Sequence, residues 1–314
     1  MKAVVVTEFG GPQQLRLAEV PDPVPGPGQV RIAVRAAGVN PVDAGNRADG
    51  IWAGLRTPCI LGYDIAGVVE SLGPGVTGPL PGQRVMAMAH FPDGAGGYAE
   101  LAVVDADLVA PIAPETTFCQ AAATPLAAGT AELVLSRLAL PPGSRLLVLG
   151  GSGGVGLFLL QLAAQLDLLT FAVGRPAMHE QMRALGASFC IDYTARDVAE
   201  QAIELADGPV DAIAALIAGP HLREAFGALL PGGLIACIDT PDLGLDPLID
   251  ANITFHGVLI GDDGNRTRQL AALLADGSLR PVISHELPLS EAARAHEILE
   301  TGHAGGKIVL IIPS

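Results

Sequence analysis

The sequence predicts an α/β protein in which a doubly wound parallel sheet is joined to a second, β-rich and barrel-like unit. Three features of the 314 residues support this fold class. Short, alternating strand patterns dominate roughly the first 115 residues. Strand and helix patterns then alternate to about residue 260, as expected of a parallel sheet covered by helices. The remaining chain combines two predicted helices with two predicted strands. We therefore expect the parallel-sheet domain to be inserted into the β-rich one.

The β-rich part begins with a Pro/Gly-rich turn, "VPDPVPGPG". After it, Val30, Ile32, Val34 and Ala36 alternate with polar or small neighbours, which is the pattern of a half-buried strand. The segments "IAGVVESLG" and "GQRVMAMA" repeat this alternation. This part of the chain is therefore predicted to form an all-β unit.

The αβ part opens with a helical stretch predicted from about Thr117 to Leu138. After this part, helices near 266–276 and 290–301 alternate with the strand segments "PVISHELPL" and "GKIVLII". The strand candidates of the αβ part are 145–149, 168–173, 189–191, 210–217, 233–239 and 253–260. The predicted domains are 1–116 with 264–314, and 117–263.

The composition argues against several classes of function. A formal net charge of −15 makes nucleic acid an improbable partner, although one arginine and a helix N-terminus can still hold a phosphate. Every apolar run is interrupted well short of the ~18 residues that a membrane span needs, and the N-terminus lacks a signal peptide's long apolar region. The four cysteines form no CxxC pair, which argues against a structural zinc lobe. We expect a cytoplasmic protein that binds neither nucleic acid nor membrane.

Residues 150–156 read "GGSGGVG" and satisfy two catalytic signatures at once. Gly151, Gly153 and Gly156 form the G-x-G-x-x-G of a dinucleotide-binding turn. The G-x-S-x-G of a serine hydrolase starts one residue earlier, with Ser152 as its nucleophile. Both signatures require a strand, a tight turn and a helix, so the segment alone does not separate them.

The surrounding sequence favours the dinucleotide-binding interpretation. "RLLVL" is predicted as a strand, "VGLFLLQLAAQL" as a helix and "LLTFAV" as a second strand, which together make a βαβ unit of the expected ~30 residues. The hydrolase alternative also needs an oxyanion loop, often of His-Gly-Gly type, before the serine. The histidine that precedes the segment, His90, is followed by Phe and Pro. We therefore interpret Ser152 as a turn residue.

Each glycine of the signature has a physical task in binding a pyrophosphate. Gly151 permits the tight turn, Gly153 lets the backbone approach the pyrophosphate, and Gly156 lets the helix pack on the strand. The anion would lie at the helix N-terminus, where free N–H groups and the helix dipole attract it. The remaining residues of this predicted cradle are Ser152, Gly154 and Val155.

Cofactor specificity is set about 20 residues further on, where an acidic side chain would bind the ribose 2′-hydroxyl of NAD. Here the second strand ends in "FAVGRP", without an acid. Gly174 leaves room, and Arg175 can pair with the 2′-phosphate that an acid would repel. The sequence therefore favours NADPH, with a simple surface arginine as the alternative interpretation of Arg175.

Beyond these signals, the chain resembles the medium-chain dehydrogenase/reductase superfamily, and within it the zinc-free quinone oxidoreductase (zeta-crystallin-like) group. The similarity covers essentially the full length. It rests on the ordered segments "AAGVNPVDAGNR", "ILGYDIAGVVESLGPGV", "GGYAEL", "LLVLGGSGGVGLFLLQLA" and "GGKIVL". The resemblance implies a GroES-like β-barrel catalytic domain, a Rossmann dinucleotide-binding domain and a homodimer.

The departures from the zinc-dependent members concern the metal. Those members place a cysteine where this chain has Asn40, and His-Glu where it has Tyr63 and Asp64. Asn40 is a poor zinc ligand and Tyr63 an unusual one, so we expect no metal here. Asp43 is interpreted as structural. Without a metal to lower the pKa of an alcohol, the favoured substrates are electrophiles such as quinones, enones or enoyl thioesters.

By the same resemblance, Asn40 and Tyr63 are the candidate catalytic residues, each as a hydrogen-bond donor to the substrate oxygen. The alternatives are a structural cap for Asn40 and simple packing for Tyr63. Thr130 is expected near the nicotinamide end of the cofactor, and Tyr193 near the adenosine phosphate. Lys307 either lies near the cofactor or ends a solvated strand.

We therefore expect an NADPH-dependent, zinc-independent reductase that transfers a hydride to a quinone or another conjugated carbonyl compound. Two alternatives stay open: an enoyl-thioester or enone reductase on the same scaffold, and an NADPH-binding sensor or structural protein with little turnover. Quinone specificity is open because Ala44, Gly45 and Ile51 stand where family members often carry tyrosines. Trp52 either closes the pocket or is an exposed loop residue.

Overall fold

The structure of the chain, a computed structural model, divides into two compact units. Unit 1 combines Met1–Gly129 with Gly261–Ser314, and unit 2 is the segment Thr130–Ile260. Within the described residues, no helix is both long enough and apolar enough to cross a membrane. The residues that the structure describes are 1–91, 96–217, 220–240 and 246–313.

The first part of unit 1 is rich in strands, as the alternating pattern predicts. The prediction of a single helix from Thr117 to Leu138 is wrong in one respect. The first helix ends before Pro125, and a second helix starts at that proline. The elements are β1 (Lys2–Val6), β2 (Leu15–Glu19), β3 (Gln29–Val39), α1 (Pro41–Ala48), β4 (Cys59–Ile60), β5 (Asp64–Leu72), β6 (Arg84–Met88), β7 (Leu101–Asp105), β8 (Ala110–Pro111) and α2 (Phe118–Ala122). The next helix, α3 (Pro125–Leu138), starts in unit 1 and continues into unit 2, which begins at Thr130.

Unit 2 alternates strands with helices, which confirms the predicted fold class. The strand predicted over 253–260 is shorter and covers Thr254–Gly257, the four residues that pair with the neighbouring strand of the sheet. The elements are β9 (Arg145–Leu149), α4 (Gly154–Gln165), β10 (Leu169–Val173), α5 (Pro176–Ala184), β11 (Phe189–Ile191), α6 (Val198–Ala206), β12 (Val210–Ala215), α7 (Pro220–Ala225), β13 (Leu229–Cys237), α8 (Asp246–Asp250) and β14 (Thr254–Gly257).

These strands form one parallel sheet in the order β11-β10-β9-β12-β13-β14. Numbered within the domain, this is the 3-2-1-4-5-6 order of the Rossmann fold. The order reverses between β9 and β12, and ligands of such sheets bind at the carboxyl ends of the strands beside that reversal. The topology therefore singles out the turn after β9, which carries "GGSGGVG".

The chain then returns to unit 1 and adds β15 (Ile283–Pro288) and β16 (Lys307–Ile311) to its largest sheet. The strand order of this sheet is β15-β16-β3-β5-β6-β8, with β7 also paired to β3. β16 runs antiparallel to β3, and β3 antiparallel to β5. Every second residue of β3 from Val30 to Ala36 is buried, as predicted. The helices of this last segment are α9 (Gly264–Ala275) and α10 (Ala292–Glu300).

Candidate active site

The predicted dinucleotide-binding turn joins β9 to α4 in unit 2. Gly150 has a φ of 83°, a left-handed conformation that glycine adopts without strain. The N–H of Gly151 donates to the Val173 carbonyl at 3.0 Å, which ties the turn to the end of β10. A Cβ on Gly156 would lie 2.2 Å from the Gly150 carbonyl oxygen, so only glycine allows α4 to pack this closely on the turn.

Gly153 differs from Gly156, because nothing in the protein itself requires a glycine there. It is the exposed N-cap of α4, and a Cβ on it would meet only the Gly150 oxygen, at an ordinary 3.4 Å. The space above Gly153 is therefore open to a ligand, and the first N–H groups of α4 lack intrahelical partners. This cradle fits a pyrophosphate held at a helix N-terminus. Ser152 and Val155 beside it are half-buried.

The end of β10 lies against the same turn. A Cβ on Gly174 would lie 3.2 Å from the Ser152 Cβ and 3.0 Å from the Met182 side chain. The next residue, Arg175, is exposed, and its Nε donates to the Tyr193 hydroxyl at 3.1 Å. The structure thus brings the predicted phosphate-binding residues, from two strand ends and the loop after β11, to one place.

Two histidines that the sequence did not single out for binding stand next to these residues. The His221 ring lies 5.5 Å from the Tyr193 ring, measured between centroids, and packs on it at a tilt. The His179 ring nitrogen Nε2 is 3.1 Å from the Gly174 carbonyl oxygen, so His179 is tied to the backbone at the end of β10. Nothing in the local pattern around His221 could have revealed its contact, because Tyr193 and His221 belong to different βα segments.

In unit 1, the two candidate catalytic residues lie at one end of the central strands of the large sheet, where β3 ends and β5 begins. Asn40 follows β3, and Tyr63 precedes β5, whose first residue pairs with Gly38. A Cβ on Gly38 would lie 2.3 Å from the Ala122 carbonyl oxygen, so glycine is needed where α2 packs on this end of the strands. Because β16 is antiparallel to β3, its first residue, Lys307, also lies at this end.

Asn40 is held by four hydrogen bonds and is 1% exposed. Its backbone N–H donates to Asp43 Oδ2 at 2.9 Å, and its backbone oxygen accepts from the Asp43 N–H at 3.0 Å. Its side-chain Nδ2 donates to Asp64 Oδ2 at 2.9 Å, and its Oδ1 accepts from Lys307 Nζ. Lys307 is 4% exposed, so the alternative of a solvated strand end is wrong.

The ionisable groups around Asn40 are two buried carboxyl groups, of Asp43 and Asp64, and the buried ammonium of Lys307. Lys307 Nζ lies 3.7 Å from Asp64 Oδ2 and also donates to the Val39 carbonyl at 3.2 Å. Burial raises the pKa of Asp64, and the Lys307 ammonium opposes that rise. Burial also raises the pKa of Asp43 to about 7, against the N–H groups of Asn40 and Gly62 that donate to it. Through these bonds Asp43 ties the start of α1 to Gly62, and its interpretation as a structural residue stays a prediction.

Tyr63 is fully buried, and its hydroxyl accepts a hydrogen bond from Asn46 Nδ2. The other amide atom, Asn46 Oδ1, is buried and has no hydrogen-bond partner among the described residues. The Tyr63 ring packs on Phe91 at 5.1 Å between centroids, and Phe91 packs on Trp52 at 5.8 Å. Trp52 is 49% exposed, so this aromatic row leads from the surface to Tyr63.

A second buried hydrogen-bond network contacts α1 through Arg47. His296 Nε2 is 3.2 Å from the Tyr98 hydroxyl, and its Nδ1 is 3.4 Å from an Arg47 guanidinium nitrogen. Because a guanidinium only donates, Nδ1 accepts and Nε2 carries the proton in neutral His296. Burial, followed by the Arg47 charge, lowers the pKa of His296 to about 3. Arg47 in turn pairs with Glu300.

The predicted site residues therefore fall into two groups. The cradle residues, Gly174, Arg175 and Tyr193 are assembled in unit 2, whereas Asn40 and Tyr63 share one end of the central strands of the large sheet in unit 1. Thr130 is buried in α3, and its place near the nicotinamide end of the cofactor stays a prediction. Among the described residues, no three histidine, cysteine, aspartate or glutamate side chains are grouped so as to hold a metal ion.

Comparison with protein families gives two matches along the chain. Residues 26–114 match the family described as "Alcohol dehydrogenase GroES-like domain", and residues 185–310 match the family described as "Zinc-binding dehydrogenase". The first match covers the segment that carries Asn40 and Tyr63. The second covers most of the parallel sheet and the return to unit 1.

Several curated relatives align over nearly the whole chain. The quinone oxidoreductase of Lama guanicoe is 31% identical over 328 residues, which cover 99% of this chain and 98% of that protein. The "NADPH-dependent alkenal/one oxidoreductase, chloroplastic" of Arabidopsis thaliana is 32% identical, over 99% of this chain and 79% of that protein. A spectinabilin polyketide synthase system protein of Streptomyces orinoci is 34% identical over 91% of this chain, which spans only 13% of that protein's length.

Solved structures agree with these relatives. The quinone oxidoreductase from Coxiella burnetii superposes with a TM-score of 0.92 at 33% identity, over 100% of this chain and 99% of that one. A mycobacterial protein solved in complex with NADPH superposes with a TM-score of 0.89 at 28% identity, over 99% of both chains. On this fold, these motifs and these relatives, the chain belongs to the medium-chain dehydrogenase/reductase superfamily and to the group of its quinone oxidoreductases.

Proposed function

We propose that this protein is an NADPH-dependent oxidoreductase that transfers a hydride to a quinone or another conjugated carbonyl compound without using zinc. The observation that carries the proposal is the Arg175–Tyr193 pair beside the glycine turn, at the strand end where an acid would select NAD. An oxidoreductase on this scaffold is supported by relatives that are named as such.

Different residues of unit 2 would hold different parts of the cofactor. The N-terminus of α4, with the open space above Gly153, would hold the pyrophosphate. The Arg175 guanidinium would pair with the 2′-phosphate, and Tyr193 would hold the guanidinium in place through its hydroxyl. When bound, the reduced nicotinamide supplies the hydride.

The residues of unit 1 decide which substrate can react. Asn40 and Tyr63 stand where zinc ligands stand in the metal-dependent relatives, and neither suits zinc in that position. Without a metal to lower the pKa of an alcohol, the favoured substrates are those that are already electrophilic, as a quinone or an enone is. The chain's part is then to orient that substrate, to exclude water and to donate a hydrogen bond to the oxygen that gains charge. Asn40 is the proposed donor.

An enone or enoyl-thioester reductase is the second candidate. The Arabidopsis relative, whose printed name is an alkenal/one oxidoreductase, specifically favours it. The chemistry is closely related, because in both cases negative charge develops on a conjugated carbonyl oxygen. The two candidates differ in which acceptor is turned over with the higher kcat/KM.

The test is a panel of quinones, enones and enoyl thioesters, with NADPH oxidation followed by absorbance and NADPH binding followed by fluorescence. We expect binding and turnover of at least one acceptor class. Binding of NADPH without oxidation by any acceptor would contradict the enzyme proposal and support an NADPH sensor. Stoichiometric zinc in the purified protein, with loss of activity on chelation, would contradict the zinc-independent mechanism.

The oligomeric state is a separate part of the proposal. β14 is an end strand of the parallel sheet and pairs on one side with β13. Among the described residues no strand pairs with the other side of β14, and a second copy of the chain is the cover we propose for that edge. Light scattering should give the mass of a homodimer, and a monomeric mass would contradict this part alone.

A further inference from the structure

The side-chain amide of Asn40 is bound at its two ends by groups of opposite charge. The Lys307 ammonium donates to Oδ1, and the Asp64 carboxylate accepts from Nδ2 at 2.9 Å. An ammonium has no acceptor, and an ionised carboxylate has no donor. Turning the amide over would place its NH2 group against the ammonium and its oxygen against the carboxylate. Of the two orientations that an asparagine amide can take, these neighbours permit one.

This orientation decides what Asn40 has left to offer a ligand. The backbone N–H is used by Asp43, and one of the two side-chain N–H groups is used by Asp64. The second N–H of Nδ2 has no partner among the hydrogen bonds of the described residues. The ammonium on Oδ1 draws electron density away from the amide and makes this N–H a better donor. The amide is therefore set to give a hydrogen bond.

We propose that Lys307 is a positioning residue for the reduction, because with Asp64 it holds the Asn40 amide in the orientation that offers an N–H to the substrate's carbonyl oxygen. This inference rests on the proposed function, in which Asn40 faces the substrate. A donor is what such an oxygen needs, since it gains negative charge as the hydride arrives. The reversed amide would present its own oxygen and repel that charge.

The charge on Lys307 has no equally good explanation in stability. Lys307 begins the strand "KIVLI", in which the next three residues are also buried. Replacing a buried ion pair by apolar groups of similar volume is often neutral or stabilising. A buried ammonium that reaches three oxygens, of Asn40, Asp64 and Val39, is better explained by what it orients.

The decisive variant is Lys307→Met, which keeps the length of the side chain and removes the charge. The matched control is Lys2→Met, since Lys2 is the other lysine of the sequence and is exposed on β1. For Lys307→Met we expect kcat to fall by about 100-fold, while KM and the NADPH Kd stay within about threefold. Asp64→Asn, which removes the acceptor at the other end of the amide, should also lower kcat while KM and the NADPH Kd stay nearly unchanged. Lys2→Met should match the wild type.

A second measurement does not depend on turnover. The sequence has four asparagines, so protein labelled at asparagine gives four pairs of side-chain amide signals by NMR. The pair that disappears in Asn40→Ser is that of Asn40. We expect one set of shifts for this pair in the wild type, and shifted or doubled signals in Lys307→Met and Asp64→Asn.

The outcomes separate the two ideas. If the wild type oxidises NADPH with none of the acceptors, the proposed function fails, and the amide signals still test whether Lys307 fixes the orientation. If Lys307→Met and Asp64→Asn both fold and keep kcat within threefold of the wild type, the positioning role is overturned. It is also overturned if kcat falls while the Asn40 amide pair is unchanged. Should Lys307→Met not fold, Asp64→Asn decides by the same two readouts.

Discussion

Arg175 and Tyr193 are 18 residues apart in the sequence, and in the structure the Arg175 Nε donates a hydrogen bond of 3.1 Å to the Tyr193 hydroxyl. Arg175 is exposed and Tyr193 is half-buried against His221, so the tyrosine holds the guanidinium while leaving its two outer nitrogens to a ligand. This arrangement suits a bidentate contact with phosphate.

Replacing Arg175 by aspartate should therefore separate the two nicotinamide cofactors. A hydrogen bond to a charged group contributes about 1.5–3 kcal/mol, so we expect Arg175→Asp to weaken NADPH binding by about 10- to 100-fold and NADH binding by less than threefold. Fluorescence titration with both cofactors measures this. Arg183→Asp, at an exposed arginine of α5, is the matched control and should change neither Kd. Equal losses for both cofactors would contradict the 2′-phosphate assignment.

Two alanine substitutions in the glycine turn should have opposite signatures. Gly153→Ala meets no close atom of the protein, so the free energy of unfolding should change by less than about 1 kcal/mol, while the added methyl group obstructs the pyrophosphate and weakens the cofactor at least tenfold. Gly156→Ala forces a 2.2 Å contact with the Gly150 oxygen and should destabilise the fold by about 2 kcal/mol or more. Urea unfolding and NADPH titration distinguish them. If Gly153→Ala is stable and binds NADPH as tightly as the wild type, the assignment of the pyrophosphate to this turn is contradicted.

Asp43 and His296 should give opposite pH dependences of stability. The folded state holds the Asp43 proton up to a pKa of about 7, above the ordinary 3.8, so this group's stabilisation is lost as pH rises between these values. The folded state keeps His296 neutral down to about 3, below the ordinary 6.5, so its contribution is lost as pH falls through that range. Between about pH 4 and 6.5 the two contributions oppose each other.

Replacing either group should leave the pH dependence of stability that the other group contributes. Relative to the wild type, Asp43→Asn should gain stability as pH rises from 4 to 7, and His296→Gln should lose it, each by at most about 1.4 kcal/mol per pH unit. Urea unfolding at several pH values gives both slopes. Parallel curves for a variant and the wild type would show that the substituted group does not titrate in this window.

Tyr63→Phe tests the hydroxyl of a fully buried side chain. The substitution leaves the Asn46 amide without its tyrosine partner, and an unsatisfied buried polar group costs about 1–3 kcal/mol. We expect that loss in urea unfolding, with kcat changed by less than threefold. A large fall in kcat without loss of stability would instead assign the Tyr63 hydroxyl to the reaction.

The sequence predicted best what is local in the chain. The strands 145–149 and 189–191 have the predicted bounds, and α4 begins one residue before its predicted start, because the strand, turn and helix signals lie side by side. The helix break before Pro125 was missed although proline marks it. The bounds of β14 depend on pairing with β13, which the apolar run 253–260 does not encode.

The candidate site divides in the same way. The proposed cofactor residues of unit 2 lie in three consecutive βα units. Motif and spacing predicted the glycine turn, Gly174 and Arg175, whereas Tyr193 was predicted from the family resemblance. The buried network of unit 1 was not predictable, since Lys307 and Asn40 are 267 residues apart, and His296 and Arg47 are 249 apart. One signal was present for Lys307, a lone charge at the head of an otherwise apolar strand.

The antiparallel pairing of β16 with β3 also has a consequence for biosynthesis. Thr130–Ile260 is a continuous segment, whereas unit 1 is made of two segments, and its sheet gains β15 and β16 only when the later one has emerged. Domains tend to fold as units while the ribosome is still translating, so unit 2 can form first. Until β16 is made, residues 36–39 of β3 lack their partner strand, and Asp64 is without the Lys307 ammonium. Lys307, which we propose orients Asn40, is thus translated only after the whole of unit 2, so the glycine turn can form before the buried network around Asn40 is complete.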